Sequence, residues 1–289
     1  MSLNLPQPGP LALVALFLVL LGLETLRPLR QRKRPRGRRW AINFSLTGLA
    51  FVCGMLTVRP VALGISAWVE NRGLGLLAAL PLPFWAKIIG GFLLMDLTFY
   101  YWHRLNHSRP LLWRFHNVHH VDPDLDVTTS FRFHFGEVLY STLFRLVQVG
   151  ATGVSPFTYL AYELAFNAAT MFQHSNTHLP LPWERALNLL LVTPRMHGIH
   201  HSVVGSETNS NYSVVFSFWD RLNRSIRLNI PQAHVIIGVP GYSLPRDNHF
   251  FALLRLPFWP QRPYWRWPSG KAAARRQPPA TPDPGRLAG

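Results

Sequence analysis

Ten of the thirteen histidines in this chain fall into four short groups. His103 and His107 form H-x3-H, and His116, His119 and His120 form H-x2-H-H. His174 with His178 repeats the first pattern, and His197, His200 and His201 repeat the second. On an α-helix, positions i, i+3 and i+4 lie on one face, so each group can present its imidazoles in one direction. Four such faces can enclose a shared interior, as helical bundles do around metal centres. Neutral imidazole is a good ligand for zinc, copper, iron and nickel. Ten nitrogens exceed the roughly four to six positions around one ion, so the set points to two ions. A lone histidine is ordinarily a surface or core residue, and one H-x3-H pair arises often by chance. The metal reading rests on the repetition of both patterns.

A metal-bound imidazole usually donates its other N–H to a carboxylate or carbonyl. Asp96 lies seven residues before His103, two turns away on the same helical face, and Glu137 and Asp220 are further candidates for that role. Asp96 could equally cap a helix or pair with an arginine such as Arg104. His134, His234 and His249 stand outside the four groups and are left out of the ligand set.

These groups need elements to hold them. Of the 289 residues, 48% are hydrophobic and only 15% charged, against a quarter in ordinary soluble chains. Leu11–Leu26 is nearly continuous apolar sequence with no positive region before it, which predicts an uncleaved membrane helix. Eight basic residues follow between Arg27 and Arg39, and part of the formal net charge of +16 resides there. Positive residues beside a span mark its cytoplasmic side, although a solvated linker would read the same way. No recognisable nucleic-acid module accompanies the charge, so membrane surface is the better reading of it, and a membrane-tethered nucleic-acid binder rests on charge alone. Ala41–Val58 and Phe84–Tyr101 are further span candidates, while residues 61–83 are mixed and broken by Pro81 and Pro83. Two crossings after the basic loop return the chain to the cytoplasmic side just before His103. Residues 138–172 read as a helical hairpin or re-entrant pair interrupted by Gly150, Gly153 and Pro156, with Arg145 and Glu163 arguing against a plain lipid-facing span. Residues 250–267 mix aromatics with arginine, as an interfacial segment does, and residues 268–289 have a disordered composition. The single cysteine, Cys53, reads as a small buried hydrophobe.

At this point the stretch Asp96–His120 resembles the fatty acid hydroxylase / sterol desaturase superfamily. So do Arg132-Phe133-His134 with Glu137, then QHSNTH at 173–178, MHGIHHS at 196–202, Asn211-Tyr212 and Trp219-Asp220-Arg221. The likeness covers about residues 85–225. It implies an all-α fold of polytopic membrane helices with a cytoplasmic helical cap. It also implies a non-haem di-iron centre held by His103, His107, His116, His119, His120, His174, His178, His197, His200 and His201, and O2-dependent hydroxylation or desaturation of a lipid C–H bond. Family members often carry proline after the histidine matching His134, where this chain has Phe135. Imidazole spacing alone does not separate iron from zinc.

The expected organisation is N-terminal spans and a basic loop at 1–83, a catalytic domain at 84–230, an interfacial segment at 231–267 and a basic tail at 268–289. Tyr100, Tyr101, Trp102 and Phe131 are candidates to line a lipid path. The reaction needs two electrons, and the chain has no G-x-G-x-x-G or other nucleotide signature, so an external electron-transfer protein is expected beside the lipid substrate and the membrane. The competing class is a membrane metal-handling protein without redox chemistry. A carrier would place polar residues along its spans, whereas here the histidines follow them.

Overall fold

A computed structural model of the chain describes residues 8–275, and among these the ordered elements are helices joined by loops, with only isolated β-bridges. The first predicted span is α1, Pro8–Leu26, and only 11% of its stretch Gly9–Leu26 is buried. The second predicted span is α2, Arg36–Leu56. The mixed segment after it is also helical, contrary to expectation. α3 runs Val58–Arg72, because Pro60 falls in the first turn, where a missing N–H costs nothing. It stops at Gly73, whose φ of 62° makes the left-handed cap. A single turn, α4 (Leu76–Ala79), follows. With the stretch Arg36–Ala79, two helical stretches among the described residues are long and apolar enough to cross a membrane.

α5 (Phe84–Ser108) does not end with its apolar part. Its 25 residues extend about 37 Å and carry His103 and His107 beyond Tyr101 on one continuous rod. α6 (Pro110–His120) restarts after Arg109, with proline at its first position. The expected hairpin is α7 (Phe135–Thr152) and α8 (Pro156–His174), with Gly150 inside α7 and the break at Gly153. A Cβ on Gly153 would sit 2.5 Å from the Leu74 carbonyl, so this turn packs directly against the α3–α4 turn. Arg145 and Glu163 pair with each other across the hairpin at 2.6 Å. The cap is completed by α9 (Leu181–Leu187), α10 (Pro194–His200), α11 (Gly205–Thr208), α12 (Phe218–Leu222) and α13 (Phe250–Arg255). Leu253 and Leu256 pack with Trp113, Val118, Ile42 and Leu46, so part of the predicted interfacial segment is core. The tail expectation lies partly outside the described residues. Residues 268–275 are ordered, with Arg275 paired to Glu207.

The basic segment 27–39 is not a solvated linker. Leu29 N–H donates to the Asn176 carbonyl at 2.7 Å, and the Lys33 and Arg34 amides donate to the two Asp124 oxygens at 2.8 and 2.9 Å. Arg30 donates to Gln232 Oε1 at 2.5 Å. Arg39 is buried between Asp122, at 2.7 Å, and Asp126, and donates to Thr129 at 2.9 Å. The segment is a strap bound to the cap, because buried charges are tolerated only when paired and hydrogen-bonded.

Candidate metal centre

Nine imidazoles converge in two groups. His103, His107, His116, His120 and His200 form one, and His119, His174, His197 and His201 the other; the ligand atoms within each group lie within 4.8 Å of one another. Helical spacing explains the partition. On α6, His116 and His120 are four apart and face α5, while His119 is turned toward α8. On α10 the roles are exchanged: His197 and His201 face α8, and His200 reaches back to the α5 group. Each H-x2-H-H motif therefore serves both groups, two donors to one and one to the other.

The tenth expected ligand, His178, is not gathered. α8 ends at His174, and Ser175 leaves the helix with ψ of 148°, so the i+4 relation no longer places residue 178 on the same face. His178 is exposed, and its amide donates to the Arg27 carbonyl at 2.9 Å. His134, set aside in the sequence, accepts from the Gly136 amide at 2.9 Å and caps α7.

The donor set fits metal ions. In the four-histidine group the Nε2 atoms of His119 and His174 are 3.0 Å apart, His174 and His197 2.9 Å, and His197 and His201 3.1 Å. His174 Nδ1 donates to the Thr170 carbonyl at 2.7 Å, so its Nε2 is a bare lone pair. One N–H between each pair cannot satisfy this chain of contacts, because His197 Nε2 would have to donate and accept at once. A cation receives all four lone pairs. Nitrogens bound about 2.1 Å from one ion and at right angles to one another sit about 3 Å apart, the spacing seen here. In the five-histidine group, both nitrogens of His120 and the Nε2 atoms of His116 and His200 are buried without a hydrogen-bond partner. Orphans of this kind are rare unless an ion completes them.

Outer contacts set the tautomers. His103 Nδ1 donates to the Tyr212 carbonyl, and His200 Nδ1 to the Ser210 carbonyl, both at 2.7 Å. His116 Nδ1 donates to Glu137 Oε1 at 2.8 Å. Each leaves Nε2 free to ligate. Of the three carboxylates named from the sequence, Glu137 is the one in contact with a gathered imidazole. Asp220 touches no imidazole; it accepts from the Tyr212 and Ser213 amides at 2.9 Å and so holds the loop whose carbonyl orients His103. Asp96 is further removed. It accepts from the Phe216 amide at 3.0 Å and Trp219 Nε1 at 2.9 Å, anchoring the 215–219 loop to α5. Neither of the alternatives weighed for it, a helix cap or a pair with Arg104, describes that role. Burial, followed by the neighbouring imidazoles, pushes the pKa values of His119, His120, His197 and His201 well below the usual histidine range. Burial likewise brings His200 to about 3. These side chains are neutral near pH 7, the form that binds metal.

The aromatic candidates do not line one path. Tyr100 hydrogen-bonds Ser225 at 2.7 Å, Trp102 stacks on Phe144 with ring centroids 4.4 Å apart, and Phe131 packs toward Phe17. Three orienting groups went unseen in the sequence: the carbonyls of Thr170, Ser210 and Tyr212 are backbone atoms with no residue-type signal. The run Asp122-Pro-Asp-Leu-Asp126 was also missed, although its alternating carboxylates opposite a basic strap are a readable signal.

Residues 88–225 match the family described as fatty acid hydroxylase. Relatives include an ornithine lipid hydroxylase from Rhizobium tropici, 31% identical over 62% of this chain and 51% of the relative. An alkylglycerol monooxygenase from Xenopus tropicalis is 28% identical over 65% of this chain and 41% of the relative. A cholesterol 25-hydroxylase from Homo sapiens is 28% identical over 47% and 49%. The chain thus spans about half the length of these relatives. No solved structure matches it.

Proposed function

Because the chain belongs to the fatty acid hydroxylase / sterol desaturase superfamily, we propose that it is a membrane-bound, O2-dependent oxidoreductase that hydroxylates or desaturates a lipid C–H bond. The observation that carries this reading is the convergence of nine imidazoles into two groups of ligating geometry. The named relatives act on an ornithine lipid, an alkylglycerol and cholesterol, which supports a lipid as the substrate class. Iron is the metal that suits the chemistry, since bound iron supplies the oxidising power toward an unactivated C–H bond that amino-acid side chains lack.

The protein's part is to hold and shield. Tyr212, Ser210, Thr170 and Glu137 fix four imidazoles in the ligating tautomer before metal arrives, which lowers the entropic cost of binding. The strap and the Asp122–Asp126 run close the cap and keep water from the donors. Residues 84–230 form the catalytic unit in this reading, and the basic strap that follows α1 supports a cytoplasmic position for it. Hydroxylation consumes O2, two electrons and two protons and yields one water with the alcohol. The electrons come from a separate carrier. Exposed Arg34, Arg38, Arg246, Arg262 and Arg266 give the cap a cationic surface suited to an acidic one.

The test is metal content and O2 uptake of detergent-purified protein, with a His120→Ala/His200→Ala double variant as control. Two irons per chain, lost in the variant, with reductant-dependent O2 uptake stimulated by lipid, are expected. Tightly held zinc with no O2 uptake under any reductant would overturn the reading in favour of non-redox metal handling.

A further inference from the structure

α9 is built inside out. Over residues 181–190 the only buried side chains are Glu184 and Asn188, while Leu181, Trp183, Leu187, Leu189 and Leu190 are exposed. Trp183 and Leu189 are 72% and 70% exposed. The two polar residues, four apart, fasten the helix from beneath. Glu184 pairs with Arg195 at 2.6 Å, and Asn188 accepts from Arg221 at 3.0 Å. A helix that buries its polar face and presents its apolar one has a partner that is not water.

Its position says which partner. Val192 N–H donates to the Val215 carbonyl and Ser217 N–H to the Leu190 carbonyl, so residues 190–192 run beside 215–217. Phe216 in turn bonds Asp96 and packs on Phe92, with ring centroids 5.9 Å apart. Asp96 and Phe92 precede His103 by about 10 and 16 Å along α5, on its apolar portion. The exposed leucines therefore lie on the part of the cap that adjoins the apolar shaft of α5. A Trp-bearing apolar lip at that level is an interfacial membrane element.

Behind the lip opens a cleft of about 600 Å³. Leu181, Leu189, Leu228 and Ile199 line its apolar part, and Arg185, Arg195 and Arg221 its charged part. Glu184 compensates Arg195. Among the described residues Arg221 donates only to the neutral Asn188 and Ser217, so no carboxylate there compensates its charge, and Arg185 is exposed. The back wall is α10: Thr193, Met196 and Ile199 face the cleft, and His197 and His200 face the metal groups.

We propose that residues 181–191 insert into the adjoining leaflet and that the cleft binds an anionic amphiphile from it, with the chain against the leucines and the head at Arg185 and Arg221. The cleft is a lipid site in its own right; only its service to the metal groups, one helix away, rests on the function proposed above.

The full-length protein, as purified and placed in lipid nanodiscs, tests this without turnover. In a Cys53→Ala background, an environment-sensitive fluorophore on Leu189→Cys is expected to be quenched by lipid-borne bromine, and one on Ser269→Cys is not. Phosphatidylglycerol is expected to bind about tenfold more tightly than phosphatidylcholine of the same chains, with the preference lost in Arg185→Glu. Inorganic phosphate alone is expected not to compete. An unquenched label at position 189 overturns the lip. Equal binding of the two lipids, or an Arg185→Glu variant that keeps the preference, overturns the cleft, and full competition by inorganic phosphate reduces it to an anion site. Arg185 is exposed and has no part in the fold's ion pairs, so the variant is expected to fold; Arg185→Gln, read the same way, covers the case in which it does not. None of these readouts depends on iron or O2, so failure of the oxygenase reading leaves them intact.

Discussion

The two histidine groups differ in how their imidazoles are held. Three members of the five-histidine group are oriented by hydrogen bonds from separate parts of the chain: His103 by Tyr212, His116 by Glu137 and His200 by Ser210. In the four-histidine group only His174 is so held, and by a carbonyl of its own helix. His119, His197 and His201 each have an Nδ1 without a partner, and His119 is steadied by stacking on Phe133 at 5.0 Å. Orientation before binding is what gives a ligand set affinity, so the five-histidine group should be the tighter site and the four-histidine group the one that depends on its metal for order.

The most severe way to break this contrast is to remove a donor from each side. His120→Ala and His201→Ala are each expected to abolish turnover. Metal analysis is expected to find that His201→Ala keeps one ion through chelator treatment, while His120→Ala loses both, because the remaining site is the weaker. Equal retention would erase the distinction. Next is the scaffold shared by both groups. Asp122→Ala removes one of the two carboxylates that pair with the buried Arg39, leaving Asp126 alone to compensate it, and is expected to cost about 3 kcal/mol in unfolding measurements, with both sites affected alike.

A selective change comes from Glu137. Its loss in Glu137→Ala is expected to lower metal affinity about 10- to 100-fold at the five-histidine group alone, measured by competition with a chelator. A gentler probe is acid. Where the folded-state pKa lies below that of the unfolded chain, as for His200 at about 3 against an unperturbed 6.5, the unfolded chain takes up a proton that the native one refuses. Stability is therefore full above about pH 6.5 and is lost progressively as the pH falls toward 3. Thermal unfolding between pH 7.5 and 5 should show the loss, with metal leaving the four-histidine group first. The smallest expected effect belongs to His178→Ala: no change in metal content, and stability within about 0.5 kcal/mol of the parent.

His178 also marks where the sequence stops being legible. Spacing identified nine of the gathered donors because each either shares a helix or flanks its end, and helical periodicity is readable without coordinates. It over-reached at residue 178 because the pattern does not announce that α8 stops at His174. The pairing of His119 with His197 and His201, and of His200 with His103, depends on how α10 faces α6 and α5, which no local period encodes. Spans read from hydropathy coincide with α1 and α2, whereas α3 was hidden because residues 61–83 are mixed in hydropathy and the prolines read as breaking them, Pro81 and Pro83, lie beyond its end at Arg72. The strap's attachment to the cap was not legible because the carboxylates that hold it lie more than 80 residues later.

That strap bears on how the protein is made. Arg39 is synthesised 83 residues before Asp122, a wait of about 4 to 17 s at about 5–20 residues per second, and Arg30 meets Gln232 only 202 residues on. Through that interval the strap is a polybasic segment whose carboxylate partners have not yet been made. The Asp122–Asp126 run pairs with it only later, so the charged segment made first is among the last to be buried.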